Sequence, residues 1–324
     1  MKSIIMGAGA IGSFVGALLH SAGNEVLLVA RQQHVDAINQ HGLTIEGGFK
    51  GASLPFSGPV NVPASTSPAA FGTAELVIIT TKAYDTAQAL RDCSGAIGKA
   101  TRVLSLQNGL GLREVVLDFL KQRFGEELAR KNGYGGVTSI GMQYMEPGRI
   151  RYNAAGKTFI GNYFSPAGKD IVDMFNSAGF AAELSKDINR NIWIKLILNT
   201  GINALGAYHN AKNGELAENP QYREELIRLV EEGCAVAEAF GIQVPKDMPR
   251  KVVEGARGSA DNVNSMLQDI LRGSRTEIDY INGQIVRIGE LLGIQTPINK
   301  LYYQRIKEIE KGFGNSENGP KKLN

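Results

Sequence analysis

Ile4-Ile-Met-Gly-Ala-Gly-Ala-Ile-Gly12, running on into Ser13-Phe-Val-Gly-Ala-Leu-Leu-His-Ser21, is the stretch whose reading decides the fold. Ile4 to Met6 reads as a short buried strand. Ala10 to Ser21 reads as an apolar helix that Gly23 can terminate, and Glu25 to Ala30 as a second strand. The glycines between strand and helix permit a tight turn, close approach of backbone N–H groups to a pyrophosphate, and close packing of the helix on the strand. Strand, turn, helix and strand in this order make Gly7, Ala8, Gly9, Ala10, Ile11 and Gly12 candidates for binding a dinucleotide. Lys2 before the apolar run and His20-Ser-Ala-Gly after it loosely resemble a secretory leader. Glycines at 7, 9, 12 and 16 interrupt that run where a phosphate-binding turn needs them.

The second strand ends in Ala30-Arg31, not in an acidic residue. An Asp or Glu there would bond the ribose 2′-hydroxyl of NAD, whereas the Arg31 fork can grip a 2′-phosphate, so NADP is favoured. A merely solvated surface arginine is the other reading. Apolar runs at Val60 to Thr66, Leu76 to Thr80 and Val103 to Leu106 continue a parallel α/β sheet. Thr81-Lys82 and Gln107-Asn-Gly109 fall at the carboxyl ends of two of these strands, where open α/β sheets bind ligands. Lys82 could meet a phosphate or carboxylate, and Asn108 the substrate or the nicotinamide carboxamide; singly, each is also an ordinary loop residue. Gly133 to Gly141, then Arg149 to Tyr152 and Lys157 to Ile160 around Asn153-Ala-Ala-Gly, read as strands with a hairpin completing the sheet. A helix near Lys169 to Ala178 and a strand near Phe180 to Leu184 follow.

From about Asp187 the strand signals vanish and helical periodicity takes over. Its first run, Asn191-Ile-Trp-Ile-Lys-Leu-Ile-Leu-Asn-Thr-Gly-Ile-Asn203, is apolar nearly all round, yet Lys195, Asn199 and Asn203 recur every four residues on one face. Burying an unpaired amine or amide is costly, so this row faces a polar ligand or a wet cleft, unless it forms a self-satisfied structural network. Leu226 to Phe240 forms another helical face, closed by Gly241 and Pro245. Thr276-Glu-Ile-Asp279 has the look of a capping box opening a helix through Leu292, with Glu277 in a first turn that favours its ionised form. The expected organisation is 1–186 for a Rossmann-type dinucleotide-binding domain, 187–312 for a helical substrate domain and 313–324 for a disordered tail.

The 324 residues are 43% hydrophobic and 21% charged, a composition that can build two packed domains. A formal net charge of +3 without long basic blocks argues against nucleic acid as a main partner, and no stretch is apolar enough to span a membrane. Cys93 and Cys234 lie far apart without metal or CxxC spacing, as expected of a reducing, cytoplasmic compartment. No zinc-ligand cluster or nucleophile elbow is evident. A dinucleotide half followed by a helical half that offers an amine suggests hydride transfer to a carbonyl, with Lys195 donating the proton and Glu277 anchoring the amine or a substrate hydroxyl.

The chain resembles the ketopantoate reductase family over nearly its whole length. The resemblance is carried by Gly7-Ala-Gly-Ala-Ile-Gly12, Lys82-Ala-Tyr, Gln107-Asn-Gly109, Trp193-Ile-Lys195 with Asn199 and Asn203, Asn213-Gly-Glu-Leu216, and Ser265-Met-Leu-Gln-Asp269 leading to Thr276-Glu-Ile-Asp-Tyr-Ile-Asn-Gly283. It implies a Rossmann-type domain plus an all-helical domain like the C-terminal domain of 6-phosphogluconate dehydrogenase, and NADPH-dependent reduction of ketopantoate to pantoate, a step toward pantothenate and coenzyme A. By that resemblance Lys195 protonates the C2 carbonyl oxygen. Asn199 and Asn203 hold the substrate, Ser265 takes its carboxylate end, and Asn213 and Asn262 support them. Asn108 lies between cofactor and substrate, Arg31 takes the 2′-phosphate, Lys82 seats the cofactor, Gly141 passes it with its backbone and Glu277 falls beside the nicotinamide end.

One departure is a charged insertion at Lys121 to Lys131; the family also includes members whose 2-oxo acid is not ketopantoate, and Asn264 beside Ser265, where a small hydroxyl residue would fit the family pattern equally well, is a position that could adjust the pocket. A reductase for another branched 2-oxo acid and a non-catalytic NADP(H)-binding sensor are the competing readings. A homodimer is compatible with the apolar helical faces.

Overall fold

The computed structural model describes residues 1–48, 56 and 58–314. Its strands are β1 (Lys2–Met6), β2 (Glu25–Val29), β3 (Thr44–Gly47), β4 (Ala64–Ser65), β5 (Leu76–Ile79), β6 (Arg102–Ser105), β7 (Gly133–Thr138), β8 (Gly141–Glu146), β9 (Arg149–Ala154), β10 (Thr158–Asn162) and β11 (Ala182–Leu184). The helices are α1 (Ala10–Ser21), α2 (Gln32–His41), α3 (Thr86–Asp92), α4 (Leu112–Phe124), α5 (Glu126–Asn132), α6 (Lys169–Ser177), α7 (Ile188–His209), α8 (Asn213–Glu218), α9 (Pro220–Ala239), α10 (Met248–Gly258), α11 (Ser265–Leu271), α12 (Asn282–Leu292) and α13 (Pro297–Lys311). Two compact units result: Met1–Gln107 with Gly111–Asn191, and Asn108–Leu110 with the chain from Ile192 onward.

In the first unit, eight strands form one sheet in the order β11-β10-β7-β6-β5-β1-β2-β4. All neighbours are parallel except β10 against β7. Alternation along the central strands supplies two apolar faces. Ile5, Leu28, Ile78 and Leu104 pack on one side, and Ile4, Met6, Val77, Ile79 and Val103 on the other. Strands buried on both faces read as continuous apolar runs, which is why Ile4 to Met6 and Leu76 to Ile79 show no polar alternation. Strand order reverses at the β1–β5 pair, since β2 and β4 lie on one side of it and β6 and β7 on the other. The crevice beyond the carboxyl ends of such a pair is where doubly wound sheets bind ligands.

Three expectations are corrected. The strand anticipated over Val60 to Thr66 shrinks to the two residues of β4 with a bridge from Val60 to Leu43, because Pro63 has no N–H for a ladder; its carbonyl accepts from Leu28 N–H instead. The expected hairpin around Asn153 to Gly156 does not form. β9 pairs antiparallel with β8 through the Pro147-Gly148 turn, where Gly148 has φ +78°, and these two join β3 in a separate three-stranded sheet. β10 pairs with β7 instead. Finally, no α-helix opens at Thr276. Its N–H and hydroxyl both donate to Glu310 at 2.7 Å, residues Ile278–Tyr280 make one tight 3₁₀ turn, and Ile281 at φ −110°, ψ −96° breaks the path before α12. Glu277 therefore lies outside the first turn of α12, contrary to the helix-dipole expectation.

The second unit is helical and packs around Leu196, Ile197, Leu226, Leu229, Val252, Ile285 and Tyr302. Helix α7 runs 22 residues, and Gly201 lets α9 approach it so closely that an added Cβ would fall 2.5 Å from Leu226 Cδ1. The charged segment 121–131 forms the end of α4 and most of α5, with Lys121 paired to Glu126 at 2.7 Å. Of the expected tail, residues 315–324 lie outside the described residues. No helix is long and apolar enough to cross a membrane, and no cluster of potential metal ligands occurs, among the described residues.

Candidate active site

The glycine turn sits directly at the switch point. Gly7 has φ +92°, and an added Cβ would fall 2.5 Å from the Thr81 backbone nitrogen, so only glycine lets β1 end this close to the residue that follows β5. Thr80 ties the two ends together, its hydroxyl donating to the Gly7 carbonyl at 2.9 Å. A Cβ on Gly12 would come 2.4 Å from that same hydroxyl, which is the close helix–strand packing the motif requires. Gly9 is different: an added Cβ would meet nothing nearer than the Gly7 carbonyl at 4.0 Å, leaving backbone open to a ligand at the start of α1. Ser13 donates to the Ala8 carbonyl at 3.1 Å and contacts His34 Nε2 at 2.9 Å, while His34 Nδ1 accepts from Gly148 N–H at 2.9 Å. With Nδ1 accepting, the proton sits on Nε2, and burial drives the His34 pKa down to about 4. A neutral imidazole thus braces the turn from behind.

Arg31 follows β2 as an exposed residue at the start of α2, and its guanidinium makes no hydrogen bond or ion pair among the described residues. Lys82 follows β5, and Gln107 fixes the loop beside it by donating to the Thr81 carbonyl at 2.8 Å and the Thr86 hydroxyl at 2.9 Å. Gly141 opens β8 opposite Ala154 in the three-stranded sheet. These features fit a dinucleotide: an open backbone turn after β1, an exposed guanidinium after β2 and a lysine after β5.

In the second unit, Lys195, Asn199 and Asn203 lie on one face of α7 over about 12 Å of helix. Lys195 is half-buried and its amine engages no hydrogen bond or ion pair among the described residues; burial holds that amine below the ordinary lysine range. Asn199 and Asn203 are 5% and 4% exposed. Asn199 donates to Asn108 Oδ1 at 3.4 Å, and the Asn203 amide has no partner among the described residues. Asn108 is held here because Leu110 N–H donates to the Tyr280 carbonyl at 3.0 Å and Gly109, at φ +99°, packs on Tyr280. Tyr280 N–H in turn donates to the carbonyl of Glu277, itself buried, so one loop pair carries both Asn108 and Glu277.

Asn213 and Asn262 meet between the start of α8 and the segment after α10. Asn213 donates through Nδ2 to Ser259 at 3.0 Å and through its N–H to the Asn262 carbonyl at 3.0 Å, while its buried Oδ1 stays unsatisfied. Ser265 is the exposed first residue of α11. The bracing roles of two residues escaped the sequence reading: Thr80, and Gln107, which it named only as part of a strand-end motif. Each acts through loops remote in sequence, and neither has a spacing that could have signalled it.

A glycine turn at the switch point of a parallel sheet, joined to a helical unit that presents an amine among amides, defines a dinucleotide-dependent oxidoreductase. The model of "Ketopantoate reductase PanE/ApbA" matches residues 3–164, and that of its C-terminal domain residues 187–310. The chain belongs to the ketopantoate reductase family. It is 36% identical to the 2-dehydropantoate 2-reductase of Pyrococcus horikoshii across 98% of this chain and 100% of that one, and 34% identical to that of Archaeoglobus fulgidus across 95% and 98%. Among solved structures, a PanE/ApbA family ketopantoate reductase from Ralstonia eutropha aligns with a TM-score of 0.85 at 34% identity, covering 97% of this chain and 100% of its own. D-mandelate dehydrogenase with NADH and anilino(oxo)acetate aligns with a TM-score of 0.86 at 29% identity and the same coverage. The cofactor class is accordingly a nicotinamide dinucleotide.

Proposed function

We propose that this protein reduces 2-dehydropantoate to pantoate with NADPH, acting in the cytoplasm on the route to pantothenate. The observation that carries the reading is the row on α7: a lysine amine without a partner among the described residues, its pKa lowered by burial, above two buried amides. When bound, NADPH would supply the hydride for C2. Lys195 donates a proton to the C2 oxygen as negative charge grows there and regains one from solvent, leaving a hydroxyl. Asn199 and Asn203 orient the oxo acid, Ser265 takes its carboxylate, and Asn213 and Asn262 support them. Gly7 to Gly12 would hold the pyrophosphate, Arg31 would take the 2′-phosphate and Lys82 would help seat the cofactor. Asn108 would lie between cofactor and substrate, Gly141 would pass the cofactor with its backbone, and Glu277 would fall beside the nicotinamide end. We place residues 1–186 in the cofactor domain and 187–312 in the substrate domain.

One resemblance favours a second reading. D-mandelate dehydrogenase, a structural neighbour, is described with NADH and an oxo acid that is not ketopantoate, so a sibling reductase with another oxo acid is the alternative. A panel of 2-oxo acids, each assayed with NADPH and with NADH, decides between them. The proposal expects ketopantoate with NADPH to give the highest kcat/KM, and a bulkier oxo acid or NADH in first place overturns it. Nucleotide binding without turnover of any oxo acid would leave a non-catalytic sensor.

A further inference from the structure

Asn264 uses both ends of its side chain within the second unit. Its Oδ1 accepts the Leu267 N–H at 2.9 Å, capping α11, and its Nδ2 donates to the Ile202 carbonyl of α7 at 3.2 Å. It is 7% exposed. The residue it precedes is Ser265, and the residue after Ile202 is Asn203. A single amide therefore ties the start of the helix that carries the hydroxyl to the turn that carries the ligand-facing asparagine. Gly206 makes room for it, since a Cβ there would fall 2.4 Å from Asn264 Nδ2.

A second asparagine grips the same helix in another way. Asn282 donates to the Thr200 carbonyl at 3.0 Å, but it is fully buried and continues into Asn299 and Glu232. Asn282 fixes α7 to α12, α13 and α9, whereas Asn264 fixes it to the start of α11.

We propose that Asn264 is a positioning residue for substrate recognition: it sets the separation between the Ser265 hydroxyl and the Asn203 amide, and with it the length of 2-oxo acid that is accepted. This rests on the reading that these two groups hold the oxo acid. Serine at 264 keeps an oxygen able to cap α11 but is too short to donate to Ile202. In Asn264→Ser, KM for ketopantoate rises roughly tenfold while kcat stays within about threefold, because the lost bond acts on binding geometry and not on the proton donor. The dissociation constant for NADPH is unchanged, and preference among oxo acids differing by one methylene shifts. Gly206→Ala, which pushes on the Asn264 amide, raises KM in the same way. In the double variant the effect of Gly206→Ala shrinks, since the shorter serine vacates the space.

Steady-state kinetics, NADPH titration and thermal melting on the full chain read these outcomes together. Lower melting temperatures with unchanged KM and unchanged preference would mean that Asn264 only stabilises α11, overturning the proposal while the reductase reading stands. A parent protein that turns over no 2-oxo acid overturns the reductase reading, and this proposal with it.

Discussion

The two units prepare for their ligands by opposite means. In the first, the glycine turn is built from what is missing: side chains are absent at Gly7, Gly9 and Gly12, and main-chain groups are brought forward by Thr80 and Ser13 from behind. In the second, the candidate groups of helix α7 are side chains, Lys195, Asn199 and Asn203, set among apolar residues such as Trp193, Leu196, Ile197 and Ile202. A backbone site tolerates no added atom, and a side-chain site tolerates no lost one. The two should fail under opposite substitutions and with opposite kinetic signatures.

The largest expected effect is on the side-chain site. Lys195→Ala should lower kcat/KM by roughly a hundredfold or more, the range expected when a positioned acid is removed, with NADPH affinity intact. Near-parental turnover would break the contrast, because the row would then be structural. Its pH profile sharpens the point. Burial stabilises the neutral amine and lowers the Lys195 pKa, so the protonated donor should be lost, and kcat/KM should fall, at a lower pH than for an ordinary lysine. A profile that stays flat until the alkaline lysine range would show that this amine is not the donor.

On the backbone site the informative change adds an atom. Gly12→Ala places a Cβ 2.4 Å from the Thr80 hydroxyl and 2.7 Å from the Gly7 carbonyl. Overpacking of this kind typically costs about 1–3 kcal/mol, so the variant should melt lower and bind dinucleotide weakly, and any turnover at saturating cofactor should remain close to parental. Smaller still is Arg31→Ala, which removes a charge-assisted contact and should weaken NADPH about tenfold while leaving NADH nearly unchanged. An equal loss for both cofactors would assign Arg31 to the solvated surface.

The same difference explains what was legible in the sequence. The glycine turn, β1 and α1 are contiguous, and their conformational demands are local, so residues 4 to 30 announce them. Helix α7 was legible for a similar reason: its period of four sets Lys195, Asn199 and Asn203 on one face wherever the helix packs. The destination of β9 was not. Pro147-Gly148 and Asn153 to Gly156 both look like turns, and the choice of partner is made by contacts with β3, about a hundred residues earlier. Thr276 was misread because its hydroxyl and N–H are claimed by Glu310, 34 residues away, which no local capping pattern reveals. The Asn213–Ser259–Asn262 contact likewise joins two loops that only the tertiary fold brings together.

The smallest effect tests whether the backbone site depends on a hidden side chain. His34 is neutral in the fold, with a pKa of about 4 against an ordinary value of 6.5, so below pH 6.5 the unfolded chain takes up a proton that the folded one refuses. The stability this group contributes is full above pH 6.5 and is lost as the pH falls toward 4. Between pH 7 and pH 6 alone the loss is about 0.7 kcal/mol. Glutamine at 34 can accept from Gly148 and donate to Ser13 but does not titrate, so His34→Gln should flatten the acid limb of the stability curve while preserving dinucleotide binding. If instead binding is lost with the acid limb unchanged, the imidazole ring is holding the turn by its shape, through the Tyr144 ring 5.1 Å away, and not by its proton.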